Sequence, residues 1–413
     1  MRSATSSSTG ANKTGAATVA ATMTVCDITQ FWSPVSGGVR RYVAEKIRHL
    51  RERVPGGRHL LIIPGERDEV SGDDAARVYT IASPAVSQVT GYRVVLRLRE
   101  IERILAAERP DIVECGDPYQ VGWRTACVCA RLGIPAVAFY HSHFAESELR
   151  PLEKWLGRRA AELLVDLAAR YSRTLYNRFA RTLVPSPLLA GVLAGWGVNN
   201  TRPVDLGVDA GQFHPPGKPK SVSRHELGLP DGARVLLSVG RLAAEKNTRT
   251  LCDAFRKLAA RHPGGWHLLI TGDGLQRGLV EQLRAETGAV TWLPFLSKGA
   301  DLLRLYHASD LFVHPGVQET FGLVTLEAQA CGLPVVGIRG TAMDRIVCHD
   351  QSFWAPVNAP DALANAMAAA FEHDLPALGA AAAAIVIRRF AWPEVFTRLF
   401  DVYREVIQDS ASQ

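Results

Sequence analysis

Short continuous runs of Val, Leu and Ile alternate with amphipathic stretches of helical spacing, and the chain does this twice. In the first half TVCDIT, HLLIIPG, RVYTI, DIVECG, AVAFYH and TLVPS have the length and β-branched content of buried strands. Between them lie VRRYVAEKIRHLRERV and VVLRLREIERILAAERP, whose apolar positions recur at helical intervals. RVLLSVG, HLLITGDG, VTWLP, LFVHPG and PVVGI repeat the scheme in the second half, interleaved with TRTLCDAFRKLAARH and LQRGLVEQLRAETG. A strand apolar on both sides must be covered on both sides, and helical crossovers achieve this over a parallel sheet. The pattern predicts α/β architecture with two doubly wound domains. The length of 413 residues agrees, because one hydrophobic core rarely serves so long a chain.

Pro and Gly concentrate in LGVDAGQFHPPGKPKSVSRHELGLPDG, Leu206 to Gly232, and the periodicity lapses there. The join belongs in that stretch, giving domains at residues 23–205 and 206–391. Residues 1–22 are rich in Ser, Thr, Ala and Gly without the apolar core of a signal peptide, and are expected to be a disordered leader. Near the other end WPEVFTRLFDVYREVIQD aligns Val395, Leu399, Val402 and Val406 in one stripe, with Pro393 suited to a first helical turn. Residues 392–413 are expected to form a helix that packs back on the first domain.

Composition excludes several classes. The seven cysteines are scattered apart from Cys127 and Cys129, a spacing that suits neither a zinc knuckle nor a disulfide framework. A reducing cytosol is the expected compartment. No run reaches the roughly 18 apolar residues of a spanning helix. The net charge of +6 sits in the first half: residues 24–205 carry 25 Lys/Arg against 20 Asp/Glu, and residues 206–413 carry 20 against 21. Such a bias suits an anionic partner or surface, and equally an ordinary solvated face. No nucleic-acid partner is expected, because the arginines are not interleaved with stacking aromatics and no reader motif occurs.

The stretch VQETFGLVTLEAQACGLPVVG carries Glu319 and Glu327 on either side of Gly322. LFVHPG before it is a strand, and LVTLEAQAC has helical spacing until Gly332 and Pro334 stop it. Glu319 therefore belongs to the loop and Glu327 lies more than one turn into the helix, roughly 10–12 Å away. That span matches a nucleoside diphosphate sugar from hexose to ribose. Its diphosphate would lie over the free N–H groups at Phe321 to Val324, where the helix dipole favours negative charge and Gly322 allows close approach. Taken alone, the two glutamates also fit a solvated helix end.

Other motifs favour the ligand. Arg241 and Lys246 follow a strand in VLLSVGRLAAEKNTRTL, where an arginine and a lysine can converge on a diphosphate and stabilise it as a leaving group. No Asp-x-Asp occurs, so no metal and no other cofactor is expected. SPVSGGVRRYV turns at Gly37 and Gly38 into a helix directly after the first strand. It is neither a dinucleotide fingerprint nor a P-loop, and it would approach the same phosphates from the opposing domain. AVAFYHSHF puts His141 and His143 at the C-terminal edge of a strand, where open parallel sheets bind ligands. A histidine there can equally be structural, and an i, i+2 pair without a third ligand makes a poor metal site.

Taken together QETFGLVTLEAQACGLPVV, GRLAAEKN, TGDG, SGGVRRY, YHSH and LGVDAGQFHP resemble the retaining glycosyltransferases of family 4, over nearly the whole chain after the leader. The resemblance implies a GT-B fold, two Rossmann-like domains facing across a cleft, with the acceptor on the first and the nucleotide sugar on the second. It implies that Arg241 and Lys246 hold the diphosphate and Glu319 the hydroxyls of the transferred sugar. The N–H groups of Phe321, Gly322 and Leu323 would contact sugar and phosphate, and Glu327 would take the ribose hydroxyls. Gly274 and Leu296 would lie beside the nucleotide, with Gly37 and Gly38 closing on the phosphates. His141 matches the family histidine near the donor sugar better than His143 does. One departure stands out: RGTAMDRIV offers Gly340, Thr341 and Asp344 where the family often has a Gly-Gly pair and a glutamate.

The expected reaction moves a hexose, from a donor of the UDP-glucose or GDP-mannose class, to an acceptor hydroxyl with anomeric retention and without a metal. YHSHF before a long helical stretch looks most like members acting on lipid or lipid-linked acceptors. A nucleotide-sugar epimerase or hydrolase of the same plan is the nearest enzymatic alternative, and a silent nucleotide-sugar-binding protein the non-enzymatic one. Arg93, Arg97 and Arg103, with Arg158, Arg159, Arg170, Arg173, Arg178 and Arg181 further on, lie beside apolar residues in helical stretches. They suggest peripheral contact with the inner face of an anionic cytoplasmic membrane, and a solvated helix face accounts for them equally.

Overall fold

A computed structural model describes residues 22–33, 37–86, 91–141, 157–294, 296 and 299–412. Residues 1–21 of the expected leader and His143 lie outside them. Two sheets follow one another along the chain. The first contains β1 (Thr24–Ile28), β2 (Arg58–Gly65), β3 (Glu69–Gly72), β4 (Ala76–Ala82), β5 (Ile112–Cys115), β6 (Ala136–Phe139), β7 (Arg181–Val184) and β8 (Thr201–Pro203). Their order is β3-β4-β2-β1-β5-β6-β7-β8, and every pairing is parallel except β3 with β4. The second sheet is wholly parallel and comprises β9 (Arg234–Val239), β10 (Trp266–Thr271), β11 (Val290–Leu293), β12 (Leu311–His314) and β13 (Val335–Gly337), ordered β11-β10-β9-β12-β13.

Helices α1 (Gly37–Arg53), α2 (Leu98–Glu108), α3 (Gln120–Leu132), α4 (Arg158–Tyr176) and α5 (Pro187–Gly195) belong to the first sheet. With the second go α6 (Lys220–Glu226), α7 (Thr248–Arg261), α8 (Arg277–Thr287), α9 (Gly299–Ala308), α10 (Leu323–Ala330), α11 (Met343–Ile346), α12 (Pro360–Ala370) and α13 (Leu375–Phe390). The architecture is the doubly wound α/β pair that the alternating pattern predicts. Strands β3 and β8 and helix α6 were not legible, being short and mostly exposed. The helix expected from VVLRL onward begins only at Leu98. Arg97 has φ −83° and ψ 63°, outside the helical region, and Arg93 is tied to Ala85 in an isolated bridge.

The chain passes from the first sheet to the second, and returns, at neighbouring points. Val208 N–H donates to the Phe390 carbonyl at 2.8 Å, and Trp392 N–H to that of Val208 at 3.2 Å. The final helix, α14 (Trp392–Ala411), then lies on α1: Trp392, Val395, Phe396, Leu399, Phe400 and Tyr403 share one buried cluster with Tyr42, Val43 and Leu50. Beneath it Lys46 is fully buried, donating to Asp27 at 2.8 Å and to the Tyr403 hydroxyl at 3.0 Å, with Glu114 also 3.0 Å away. His59 is 2.6 Å from the other oxygen of Asp27. One lysine serves two buried carboxylates. That arrangement ties α14 to the first sheet through polar contacts as well as apolar ones.

Candidate functional site

In each sheet the strand order reverses beside the first strand, between β1 and β5 and between β9 and β12. Ligand crevices of open parallel sheets lie outside the carboxyl ends of the strands at such points. A cavity of about 320 Å³ occupies that position between the two halves of the chain. Gly38, Val39, Tyr42 and His141 wall it from the first; Gly240, Arg241, Lys246 and His314 wall it from the second, as does the loop Glu319–Val324.

Two helix N-termini meet there. Helix α10 starts after Gly322, whose φ of 87° and ψ of 61° are left-handed; the helix has no side-chain cap and no acidic residue in its first turn. Helix α1 starts at Gly37, also without an acidic first turn. A methyl group added at Gly38 would lie 3.9 Å from Leu323, so the two helix mouths are in near contact. The uncapped N–H groups of α10, with the start of a second helix beside them and no acidic residue in either first turn, make an anion-favouring position.

Of the residues singled out from the sequence, Gly38, His141, Arg241, Lys246, Glu319, Phe321, Gly322 and Leu323 all reach the cavity wall. Gly37, Gly274, Leu296 and Glu327 are not part of it. Gly37 begins α1 one residue away and is exposed. Leu296 packs, half-buried, against the second core. Gly274 lies behind the wall, where a Cβ would come 2.4 Å from the Leu242 carbonyl oxygen; its part is to let that turn close-pack beneath Leu242.

Lys246 sits in a single 3₁₀ turn (Ala244–Lys246) and donates to the carboxylate of Glu319. His314 Nε2 stands 3.7 Å from the same oxygen, Oε2. Burial alone would raise the pKa of Glu319, but His314 and Lys246 together hold it well below the usual carboxylate range, so the group stays ionised. Arg241 is mostly exposed at the rim and pairs with Glu245 at 3.3 Å.

Glu327 is placed differently from what the sequence suggests. Its side chain is only 2% exposed, with one oxygen accepting from the Tyr306 hydroxyl at 3.0 Å and the other from Arg41 of α1. Burial pushes its pKa up, and the Arg41 charge opposes the shift. Arg41 thus crosses from the first half of the chain to an acidic group one turn inside α10.

His141 is stacked on Phe139 with ring centroids 4.0 Å apart and edge-on to Tyr42 at 5.7 Å. Burial, with the nearby Lys46 charge, pushes its pKa down to about 3, so the imidazole is neutral at physiological pH. A neutral ring on the cavity wall can donate or accept a hydrogen bond to a hydroxyl.

Sequence reasoning missed His314, Arg41 and Tyr306. His314 ends β12 at the C-terminal edge of the second sheet, the counterpart of the edge that drew attention to His141 in the first, and that position was the available signal. Arg41 and Tyr306 gave none, because pairing across 286 positions in one case and 21 in the other depends on tertiary packing.

The sequence matches the family model for Glycosyltransferase Family 4 over residues 36–212 and that for Glycosyl transferases group 1 over residues 219–382. A GDP-mannose-dependent alpha-mannosyltransferase of Mycobacterium tuberculosis is 30% identical over 396 residues, covering 92% of this chain and 96% of the relative. One from Corynebacterium glutamicum is 31% identical over 327 residues, covering 77% and 72%. Among solved structures, sucrose-phosphate synthase from Thermosynechococcus elongatus superposes with a TM-score of 0.73 at 20% identity, covering 94% of this chain and all of that one. The Anabaena protein HepE, solved with UDP and glucose, gives 0.68 at 19%, covering 92% and 99%. These likenesses agree with the GT-B arrangement of two sheets about a cleft. The chain belongs to glycosyltransferase family 4 and is a glycosyltransferase that uses a nucleotide sugar.

Proposed function

We propose that this protein transfers mannose from GDP-mannose to an acceptor hydroxyl with retention of anomeric configuration and without a metal ion. The observation that carries the reading is the meeting of two helix N-termini without acidic first turns, that of α10 also uncapped, beside the ionised Glu319–Lys246 pair. An anionic diphosphate suits the helix mouths, and a polyhydroxyl sugar suits the carboxylate. Arg241 and Lys246 supply the positive charge that a divalent cation would otherwise bring to the leaving group. The names of the M. tuberculosis and C. glutamicum relatives support mannose and guanine over glucose and uracil.

In the proposed reaction the bond from the anomeric carbon to the phosphate oxygen breaks as the acceptor oxygen approaches on the same face. The departing diphosphate oxygen takes the acceptor proton. Glu319 orients sugar hydroxyls, neutral His141 contacts the sugar from the other side of the cleft, and the two cations stabilise charge on the diphosphate. Positioning and electrostatics then supply the rate enhancement. Incubation with GDP-mannose and candidate acceptors, with product stereochemistry read by NMR, tests this. An α-mannoside formed at full rate in EDTA is the expected result. Release of free mannose or an epimer with no need of acceptor, or an inverted product, would overturn it.

A lipid-linked acceptor at the inner face of the cytoplasmic membrane belongs to the same proposal. A phosphatidylinositol dimannoside mannosyltransferase of M. tuberculosis is 30% identical over 350 residues, covering 84% of this chain and 87% of that one, and its name supports such an acceptor. Leu163, Leu167 and Tyr171 are exposed one turn apart on α4, beside Arg159 and Arg170. Around α2, by contrast, Arg93 pairs with Glu66, Arg97 with Asp68 and Arg103 with Glu100, which neutralises that surface. Seven free cysteines accord with a reducing compartment. Flotation with anionic liposomes is expected to carry the protein, and Leu163→Glu with Leu167→Glu to abolish this; flotation indifferent to anionic lipid would remove the idea.

A further inference from the structure

Glu319 is the carboxylate that the proposed reaction needs turned toward the sugar, and it has two partners on one oxygen. Both the Lys246 ammonium and His314 Nε2 face Oε2, which leaves Oε1 without either of them. A diphosphate entering at the helix mouths competes for Lys246, because an ammonium is drawn to the denser negative charge. Glu319 would then lose its strongest contact at the moment when its orientation matters.

His314 cannot be drawn away in the same manner. It is the last residue of β12, held in the ladder opposite Gly337, and its side chain is 6% exposed. Its Nδ1 is buried with no hydrogen-bond partner. A proton on Nδ1 would be a buried donor without an acceptor, so the tautomer with the proton on Nε2, facing Glu319, is favoured. Gly316 completes the fit: a Cβ there would lie 3.1 Å from His314 Cε1, so the loop after β12 closes over the ring only because that residue has no side chain.

We propose that His314 is a positioning residue. It keeps Oε2 of Glu319 engaged when Lys246 turns to the diphosphate, so that Oε1 stays aimed at the hydroxyls of the donor sugar. The inference rests on the nucleotide-sugar reading of the cavity and adds which residue makes that cavity sense the sugar rather than the nucleotide.

The test compares GDP with GDP-mannose on the wild type, His314→Leu and His314→Gln, by calorimetry and by transfer kinetics. His314→Leu should bind GDP within about twofold of wild type, since no part of GDP reaches Glu319. Its extra affinity for GDP-mannose over GDP, and its kcat, should each fall about 10- to 100-fold, the effect of losing the hydrogen bond to a charged group that the 3.7 Å approach of Nε2 to Oε2 becomes once Lys246 has left. His314→Gln, which keeps an N–H donor, should recover most of both. Unchanged discrimination and kcat in His314→Leu would overturn the proposal. So would an equal loss of GDP and GDP-mannose affinity, because that is what a purely structural role gives. Failure of the wild type to bind GDP at all would instead sink the reading of the cavity, and this inference with it.

Discussion

Replacing Gly322 by alanine puts the helix-mouth geometry to a quantitative test. The residue has φ of 87°, where an L side chain costs about 1–2 kcal/mol. An added Cβ would also stand 2.6 Å from Met343 Cε and 2.7 Å from its Sδ. Overpacking costs roughly 1–3 kcal/mol, and the low end applies because the end of a methionine side chain can turn aside. The sum is about 2–3 kcal/mol, which for one domain of this size lowers Tm by roughly 4–12 °C. Denaturant titration and calorimetry would read it. A double-mutant cycle separates the two contributions: Met343→Ala should cost about 1 kcal/mol less in the Gly322→Ala background than in wild type. GDP affinity should fall as well, because relieving the strain at residue 322 shifts the N–H groups at the helix mouth. Stability within about 0.5 kcal/mol of wild type, or an uncoupled cycle, would refute the reasoning.

Glu319→Ala and Lys246→Met should each lower kcat/KM for transfer by about 10²–10³, the scale seen when one charged or oxyanion contact is lost, with circular dichroism unchanged; normal turnover in either would remove it from the site. Beneath α14, burial pushes the Glu114 pKa up to about 7, against the opposing Lys46 charge and with the Asp27 charge adding to the rise. The folded protein therefore holds that proton more tightly than the unfolded chain does. The resulting stabilisation is complete below the ordinary carboxylate pKa and is lost as pH rises through about 7. Glu114→Gln should flatten this pH dependence of Tm between about pH 5 and 8, and an unchanged slope would count against it. Tyr403→Phe removes a hydroxyl that donates to Glu114 and accepts from Lys46, and should cost about 1–3 kcal/mol in urea unfolding.

Much of this architecture was legible in the sequence because it rests on local pattern. Each long apolar run became a strand, since a parallel strand covered on both faces has to be apolar throughout. The stripe Val395, Leu399, Val402 and Val406 became the buried face of α14 for the same kind of reason. The polar and turn residues of the cavity wall were largely legible as well, because strand ends and helix starts have chemical signatures: glycines where the backbone turns, and charged residues in the loops that leave the sheet. What did not show was pairing across the cleft. Nothing near Glu327 indicates that Arg41, 286 positions earlier, takes one of its oxygens. Lys46 likewise reads as one more solvated position in VRRYVAEKIRHLRERV, yet it is fully buried among Asp27 of β1, Glu114 of β5 and Tyr403 of α14.

The central claim is that the nucleotide sugar spans the mouth of α10, with its diphosphate between the starts of α1 and α10. A crystal structure with bound GDP-mannose tests it most directly. Phosphate oxygens are expected against the N–H groups of residues 321–324, with Arg241 and Lys246 on the diphosphate and sugar hydroxyls on Glu319. Glu327 is further expected to exchange Arg41 for ribose hydroxyls. A nucleotide bound outside this cavity, or one bound here with Glu319 and Lys246 still paired to each other and away from the ligand, would contradict it.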